Sequence, residues 1–537
     1  MITRLVINNF LQFETLNMEF DSELNILVGD NDTGKSTIVS ALEMVLTGRV
    51  AGRPLDSEIS PHWFTQSVCD KYLAAVRADP NEQPPAIVIE AYFKDEPALA
   101  TQKGKNNSLG LDLPGIRLEM HLDPAYETEY SSYTAEPGKV RSIPIEFYRI
   151  VRRDFAGENL AGTRPLVTVA LIDASTLRLQ SGTDYYLRNS ISRHLTPEAR
   201  AKLSLAFRTH KEDLVLDPAF IAANASIKVE RTTLSKKSLA LSTDASAKSS
   251  WESGLVPHLD GVPFDLVGQG EKSAFKILLA LEKDGQDRHI VIVEEPENHL
   301  SHTNLNTLIA RIRERSADQQ LIITTHSSFV LNKLGIDKLR LMSGSSYTTL
   351  NVLSDETKRY FLKLAGYDTL RMVLAKAVIL VEGPSDELVV QRAYLQTHGH
   401  LPIVDGVDVL SVQALAFKRF LELARALGRR TAVVTDLDDD ASDTKARKRF
   451  EDFEVEGVVQ GFVGNVADGS TLEPQLVSAA GLGALNSVLG HSFATEAELV
   501  EAMTREKTET ALLIFEQDPA TSITMPRYIN DAIAFVQ

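Results

Sequence analysis

The spacing of apolar residues changes twice within the first fifty positions, and those changes predict three elements. Residues 2–10 alternate toward a strand, while Leu24-Asn25-Ile26-Leu27-Val28 is apolar almost throughout, as a strand covered on both faces is. Ile38, Leu42, Val45 and Leu46 then recur at helical spacing, and Gly48 stands where a C-terminal cap is expected. Further strand-like runs at 86–93, 116–122, 145–151 and 166–171 suggest a mixed sheet packed on this core. From about 185 to 253 the character changes: a helix-compatible stretch at 197–208 gives way to a Ser-, Lys- and Ala-rich segment at 233–250, which reads as an insertion. Short unalternating runs at 290–293 and 321–325 read as buried parallel strands, and the pattern loosens around 343–358. Runs at 377–381 and 431–434 then begin a second α/β unit, and no internal repeat or long heptad run interrupts the series.

The segment between the second strand and the first helix carries chemistry. Gly29-Asp30-Asn31-Asp32-Thr33-Gly34-Lys35-Ser36 fills every fixed position of a phosphate-cradling loop. Its glycines let backbone N–H groups close on phosphate oxygens; Asn31, Thr33 and Thr37 flank the ligand. Lys35 reaches the terminal phosphates, and the Ser36 hydroxyl is placed for Mg²⁺ at the positive end of the helix. ATP or GTP binding is expected.

Composition sets the surroundings. The chain has 537 residues, 43% hydrophobic and 24% charged, so several globular units and a soluble protein are expected. No apolar run is long enough to cross a membrane, and residues 1–7 carry no secretion signal. A lone Cys69 leaves neither an internal disulfide nor a cysteine-rich zinc site, which fits the cytoplasm. A net charge of −17 argues against coating nucleic acid by bulk electrostatics. Local basic segments, Arg429-Arg430 and 445–449, could still grip a backbone, although a solvated face is the plainer reading of each.

Three later pieces qualify the loop. Glu294 and Glu295 follow a buried strand, where α/β folds place ligands; Glu294 would hold the Mg²⁺ shell and Glu295 would polarise the attacking water. Gly268, Gly270 and Lys272 precede an apolar helical run at 274–281, another helix N-terminus suited to phosphate. His326 ends a strand and could contact the γ-phosphate. In order and spacing these pieces resemble the ATPase head of the ABC and SMC superfamily, over roughly residues 1–355. Glu294 stands where that family usually has Asp, and the segment at 268–272 lacks the usual opening Leu-Ser. The resemblance implies a dimer or tetramer formed through this domain, with one subunit's signature segment completing another's ATP site and the 185–253 insertion helping to dimerise.

The second unit carries more discriminating chemistry. Glu382 and Asp386 follow one buried strand, Asp436 and Asp438 another about 50 residues on, and parallel neighbours would bring the two sets together. Carboxylates ~4 Å apart repel by ~4 kcal/mol per pair at an effective dielectric of 20, a strain that hard divalent cations relieve. The pattern is that of a TOPRIM domain, here 374–537 with a C-terminal helical extension. Two ions ~3.5–4 Å apart could both activate water and stabilise the leaving oxygen of a phosphodiester.

A head of the first kind followed by a TOPRIM unit resembles the OLD (overcoming lysogenization defect) family of ATP-dependent nucleases, across nearly the whole chain. The fold class is thus α/β: an ABC/SMC-type ATPase with a helical dimerisation insertion, then a Rossmann-like TOPRIM domain. By that resemblance Glu382 and Asp386 bind metal or move protons, Asp436 and Asp438 bind metal, Glu473 is a further acidic ligand, and Lys507 stabilises charge on the phosphate. It implies ATP and Mg²⁺ or Mn²⁺ at both sites, a DNA substrate, and a role in anti-phage defence or DNA repair. It also admits a Gabija-like pairing with a UvrD-like helicase. A topoisomerase would need a tyrosine nucleophile in recognisable context, and a primase zinc ligands that one cysteine cannot supply. An SMC-like ATPase scaffold that binds without cutting, and a nuclease directed at RNA, remain as alternatives.

Overall fold

By its contacts the chain divides into two units, Met1–Leu24 with Ser36–Thr324 and Asn25–Lys35 with Thr325–Gln537. The computed structural model describes residues 1–160, 167–173, 195–226, 241–244, 251, 256–281, 289–315, 319–363, 369–412, 416–437, 442–518 and 521–537. Asp438 and much of the 185–253 insertion lie outside them.

In the first unit, antiparallel strand Ile2–Phe10 lies between Phe13–Glu19 and Ile87–Phe93, and Leu113–Leu122 joins Ile87–Phe93 to Tyr148–Asp154. The reversal after Phe10 is tight because Leu11 takes a left-handed backbone (φ 48°); nothing in the apolar spacing announced the strand that follows. The run at 145–151 is corrected: Ile145–Phe147 is a 3-10 turn, and the strand starts at Tyr148. Pro144 opens that turn, and its carbonyl accepts from Phe147 N at 3.1 Å, so the strand begins only after it.

A second, parallel group holds Thr168–Asp173, His289–Glu294 and Gln320–Thr324 in that order. Thr168–Asp173 therefore lies beside the strand that carries the acidic pair, rather than in the mixed sheet that its sequence position suggested. Gln320 ties this group to the antiparallel sheet: its Oε1 accepts from Ile2 N at 2.7 Å, and its Nε2 donates to Ile2 O at 2.7 Å and Asp21 O at 2.8 Å. A fully buried amide with its donors and acceptor satisfied avoids the ~1–3 kcal/mol that an unpaired polar group costs. Within the insertion, Thr196 caps helix Pro197–Leu216, its hydroxyl accepting from Ala199 N at 3.2 Å, and helix Pro218–Ser226 follows.

In the second unit, Leu339–Ser343 pairs in parallel with residues 26–28 and antiparallel with Ser346–Thr349. The loosened pattern at 343–358 is thus a hairpin followed by helix Asp355–Lys363. Farther along, four parallel strands are ordered Val407–Ser411, Ala377–Val381, Arg430–Thr435, Val459–Val463. Ala377–Val381 is buried at every position, as a central parallel strand must be. Helix Arg527–Val536 lays Ile529, Ile533 and Val536 into this core with Ile379, Val389 and Val434. Each such side chain contributes about 1.5–3 kcal/mol on burial. Arg392, fully buried on helix Pro384–His398, donates to Gln517 O (2.6 Å), Asp518 O (3.0 Å) and Thr521 O (2.7 Å), which pins the last helices to the sheet.

Candidate active site

The phosphate-type loop takes its shape from two left-handed residues, Asp32 (φ 64°) and Gly34 (φ 93°). A Cβ on Gly29 would fall 2.5 Å from Thr33 Oγ1, a hydroxyl held by Asp30 O at 2.8 Å, so only glycine fits there. Lys35 opens helix Lys35–Thr47, and its buried ammonium donates to Gly29 O at 2.7 Å and Asp30 O at 2.9 Å. Asn31 and Ser36 are exposed; Thr37 is buried and donates to Gln12 Oε1 at 3.4 Å. A cation and a helix N-terminus thus share one loop, an arrangement that attracts anions. The charge of Asp30 also reaches Arg429, whose guanidinium burial lowers from its ordinary value and whose Nη2 donates to Val373 O at 2.8 Å. Arg429 is therefore no free surface cation, and of that basic pair only Arg430 is exposed.

In the first unit Glu294 ends its strand in register with Asp173 and Thr324. Glu295, at φ 47°, donates its N–H to Thr324 O at 2.9 Å, and its carboxylate accepts from Asn298 Nδ2 at 2.6 Å. A glutamate in the left-handed region costs about 1–2 kcal/mol, and strain of this kind collects at working sites. The glycine segment sits close by. Its helix, Gln269–Leu281, starts five residues before the apolar run, so Gly270 and buried Lys272 lie in the first turn. A Cβ on Gly270 would fall 2.0 Å from His299 O, whereas Gly268 would meet nothing within 4 Å. Gly270 is needed for close approach to the acidic loop. His326 is exposed and belongs to the second unit, as does the loop from Gly29 to Lys35, while Ser36, Gly270, Glu294 and Glu295 belong to the first.

The carboxylates of the second unit gather as the parallel reading requires. Ala377–Val381 and Arg430–Thr435 are hydrogen-bonded neighbours, Leu380 opposite Val433, so Glu382 and Asp436 leave the sheet side by side. Asp386 stands in the first turn of helix Pro384–His398 and accepts from Gly383 N at 3.0 Å. Burial first, then the charges of Asp436 and Glu382, with a smaller share from Glu473, push its carboxyl up to about 7. Buried Glu473 accepts from Thr471 Oγ1 at 2.8 Å, and Lys507 Nζ stands 3.5 Å from its Oε1. Five side chains from four separate segments thus share one electrostatic site, and Asp438 lies outside the described residues.

Comparison with known proteins bears on this unit directly. A family model for overcoming lysogenization defect protein-like TOPRIM domains matches residues 373–438. The chain carries an OLD-like TOPRIM domain. AAA domain models match residues 4–108 and, described as AbiEii toxin, Type IV TA system, residues 227–332, so an ATPase domain precedes it. Endonuclease GajA of Bacillus cereus is 21% identical over 478 residues, 81% of this chain and 75% of that one. DNA repair protein RecN of Synechocystis is 23% identical over 174 residues, 32% of this chain and 28% of that one. Among solved structures, the C-terminal region of the Burkholderia pseudomallei OLD protein aligns with 30% of this chain and 97% of its own, at 22% identity and TM-score 0.24. The SMC head domain from Thermotoga maritima aligns with 66% and 99%, at 13% identity and TM-score 0.30.

The donor set of the OLD-like TOPRIM site is made of carboxylate oxygens and suits a hard divalent ion. Among the described residues, no three ligand-type side chains converge closely enough to hold one. Asp438 lies outside those residues, and two of the carboxylates have protein cations as partners. Glu382 Oε1 accepts from Arg449 Nη1 at 2.5 Å and from the Thr435 hydroxyl, and Glu473 faces Lys507. Two protein cations thus share carboxylates expected to bind metal.

Sequence reasoning missed Thr435, Arg449 as a member of this site, and Tyr528. Arg449 was legible only as the last member of a basic segment. Tyr528, in the first turn of helix Arg527–Val536, is buried against the strands that carry the carboxylates. Burial and the charges of Asp386, Asp436, Glu382 and Glu473 hold its hydroxyl well above the ordinary tyrosine range. A phenol so placed stays protonated.

The raised Asp386 carboxyl has a thermodynamic consequence. As pH rises through about 4 the unfolded carboxyl ionises while the folded one stays protonated, so stability falls until about pH 7 and the penalty is complete above it. Asp386→Asn keeps an acceptor for Gly383 N and removes that penalty. The variant is expected to be more stable than wild type at pH 8, by up to about 4 kcal/mol, and so to melt higher, with no difference near pH 4. Equal melting temperatures at pH 8 in metal-free buffer would contradict this picture.

Proposed function

We propose that this protein is an ATP-regulated, divalent-metal-dependent endonuclease acting on DNA, built as an oligomer through residues 1–355. The observation that carries the reading is the emergence of Glu382 and Asp436 from adjacent parallel strands, with Asp386 and Glu473 within electrostatic reach. Glu382, Asp386, Asp436, Asp438 and Glu473 would hold Mg²⁺ or Mn²⁺. Such ions supply an activated water and a stabilised leaving oxygen in phosphodiester cleavage. Lys507, already 3.5 Å from Glu473, would move to the charge developing on phosphate. Tyr528 would stay protonated beside the same carboxylates.

In the ATPase domain, Gly29, Asn31, Thr33, Gly34, Lys35, Ser36 and Thr37 would cradle ATP. Glu294 and Ser36 would hold its Mg²⁺, Glu295 would orient the attacking water, and Gly268, Gly270, Lys272 and His326 would complete the phosphate site. Arg429 supports a regulatory link. The charge of Asp30 in the loop reaches it, it immediately precedes the Asp436 strand, and its Nε is buried without a hydrogen-bond partner. A rearrangement of the loop around nucleotide would be felt at that arginine. The similarity to endonuclease GajA supports cleavage over a non-cutting scaffold, and the OLD-family resemblance admits a defence role with a helicase partner as one setting.

Supercoiled plasmid incubated with purified protein and Mg²⁺ or Mn²⁺ tests the reading. Nicked and linear products are expected with metal, none with EDTA, and a changed rate when ATP or a nonhydrolysable analogue is added. Plasmid left supercoiled under every metal condition, with a single-stranded RNA cut instead, would move the substrate to RNA. No cutting of either would leave the ATPase scaffold.

A further inference from the structure

We infer that Arg449 is a phosphate-binding residue of the TOPRIM site, held in reserve on Glu382 until that carboxylate is engaged by metal. The inference rests on the proposed nuclease reading and adds to it a residue that the carboxylate pattern does not contain. Three observations carry it. Arg449 Nη1 donates to Glu382 Oε1 at 2.5 Å and to Thr435 Oγ1 at 2.9 Å, so the guanidinium lies against a predicted metal ligand at the end of the central strand. The pair is only about one-fifth exposed on each side, so it is neither a screened surface contact nor sealed from a ligand. The backbone around it is fixed. Phe450 is fully buried, and a Cβ on Gly461 would fall 1.8 Å from its ring, so the ring fills the space that a side chain on strand Val459–Val463 would need.

The rest of the segment behaves differently. Lys445 and Lys448 are exposed, and Arg447 is exposed and spent on Asp443 one helical turn back. Arg449 alone turns inward. A guanidinium suits the task because its planar fork matches two non-bridging oxygens of a phosphodiester, which an ammonium cannot do. Its place on Glu382 also answers a physical problem. A buried set of carboxylates repels itself when no cation is present, and a resident arginine offsets part of that repulsion. When Glu382 turns to metal, the guanidinium can present its fork to the backbone of the DNA. Lys445 and Lys448 outside would meet flanking phosphates.

Two measurements on the full-length, nucleotide-free protein test this, and neither is activity. Mn²⁺ binding is followed by the loss of the free-ion EPR signal, and binding of a short duplex by fluorescence anisotropy in Ca²⁺, with melting curves to confirm folding. Arg449→Gln is expected to bind Mn²⁺ at least about threefold more tightly, because the competing cation is gone. It is expected to bind the duplex about tenfold more weakly, with the salt dependence reduced by about one phosphate contact. Arg449→Lys should hold Mn²⁺ as wild type does yet bind the duplex more weakly, since it keeps the charge and loses the fork. An Arg449→Gln variant that binds Mn²⁺ no more tightly, or the duplex equally well, overturns the inference. If the wild type itself takes up no Mn²⁺ and cuts no plasmid, the nuclease reading has failed first, and the inference falls with it.

Discussion

Asp436→Asn is expected to lower metal-dependent plasmid cleavage by about 10³-fold while leaving the protein folded. Asp436 leaves the sheet beside Glu382, and its charge is the largest carboxylate contribution to the raised Asp386 carboxyl. An amide of the same shape fits the same space but brings no negative charge to an ion. Losing one hard ligand from a metal-assisted phosphodiester cleavage removes several kcal/mol of transition-state stabilisation, which is three orders of magnitude in rate. The same change removes a like charge from the metal-free site, so melting temperature should hold or rise. A second readout separates ligand loss from misfolding: Mn²⁺ binding should weaken in step with cleavage, while nucleotide binding stays at the wild-type level. Wild-type cutting by this variant, alone or combined with Asp438→Asn, would remove the TOPRIM carboxylates from the mechanism.

The site was legible in sequence wherever chemistry coincides with a strand end. Glu382 follows a five-residue apolar strand and Asp436 a six-residue one with an apolar middle, Ala432 to Val434, because both faces are covered there, and the loop at Gly29 follows another. A buried parallel strand advertises itself by composition, and its C-terminal end is where side chains can converge. Phe13–Glu19 and Val459–Val463 were missed because half-exposed strands carry polar residues that mimic loops. Arg449 and Tyr528 were missed for another reason. Their roles come from tertiary packing: Phe450 seated over Gly461 in one case, the docking of helix Arg527–Val536 in the other. No spacing rule connects Tyr528 to Asp386 across more than a hundred residues. Lys507 was visible only through the family resemblance, and its approach to Glu473 gives that expectation a physical footing.

Lys35→Ala should weaken ATP binding about 100-fold and abolish turnover, with the TOPRIM metal site untouched. The lysine has two duties, and they predict different signals. Its ammonium is buried and donates to Gly29 O and Asp30 O, so removing it takes two charge-assisted bonds from the loop and should cost some stability, about 1–3 kcal/mol. With nucleotide present the same donors would serve the terminal phosphates, and losing them should remove about 3 kcal/mol of affinity. A fluorescent ATP analogue measures the second effect, and melting in nucleotide-free buffer measures the first. Mn²⁺ binding at Glu382, Asp386 and Asp436 should not change, because Lys35 donates to the loop carbonyls of Gly29 and Asp30. The informative result is plasmid cleavage by this variant. If ATP alters cutting in wild type and not in Lys35→Ala, nucleotide acts through the loop, and Arg429 beside Asp30 is the first place to look for the path. If Lys35→Ala hydrolyses ATP at the normal rate, the segment from Gly29 to Ser36 is not the phosphate site, and the ATPase assignment loses its anchor.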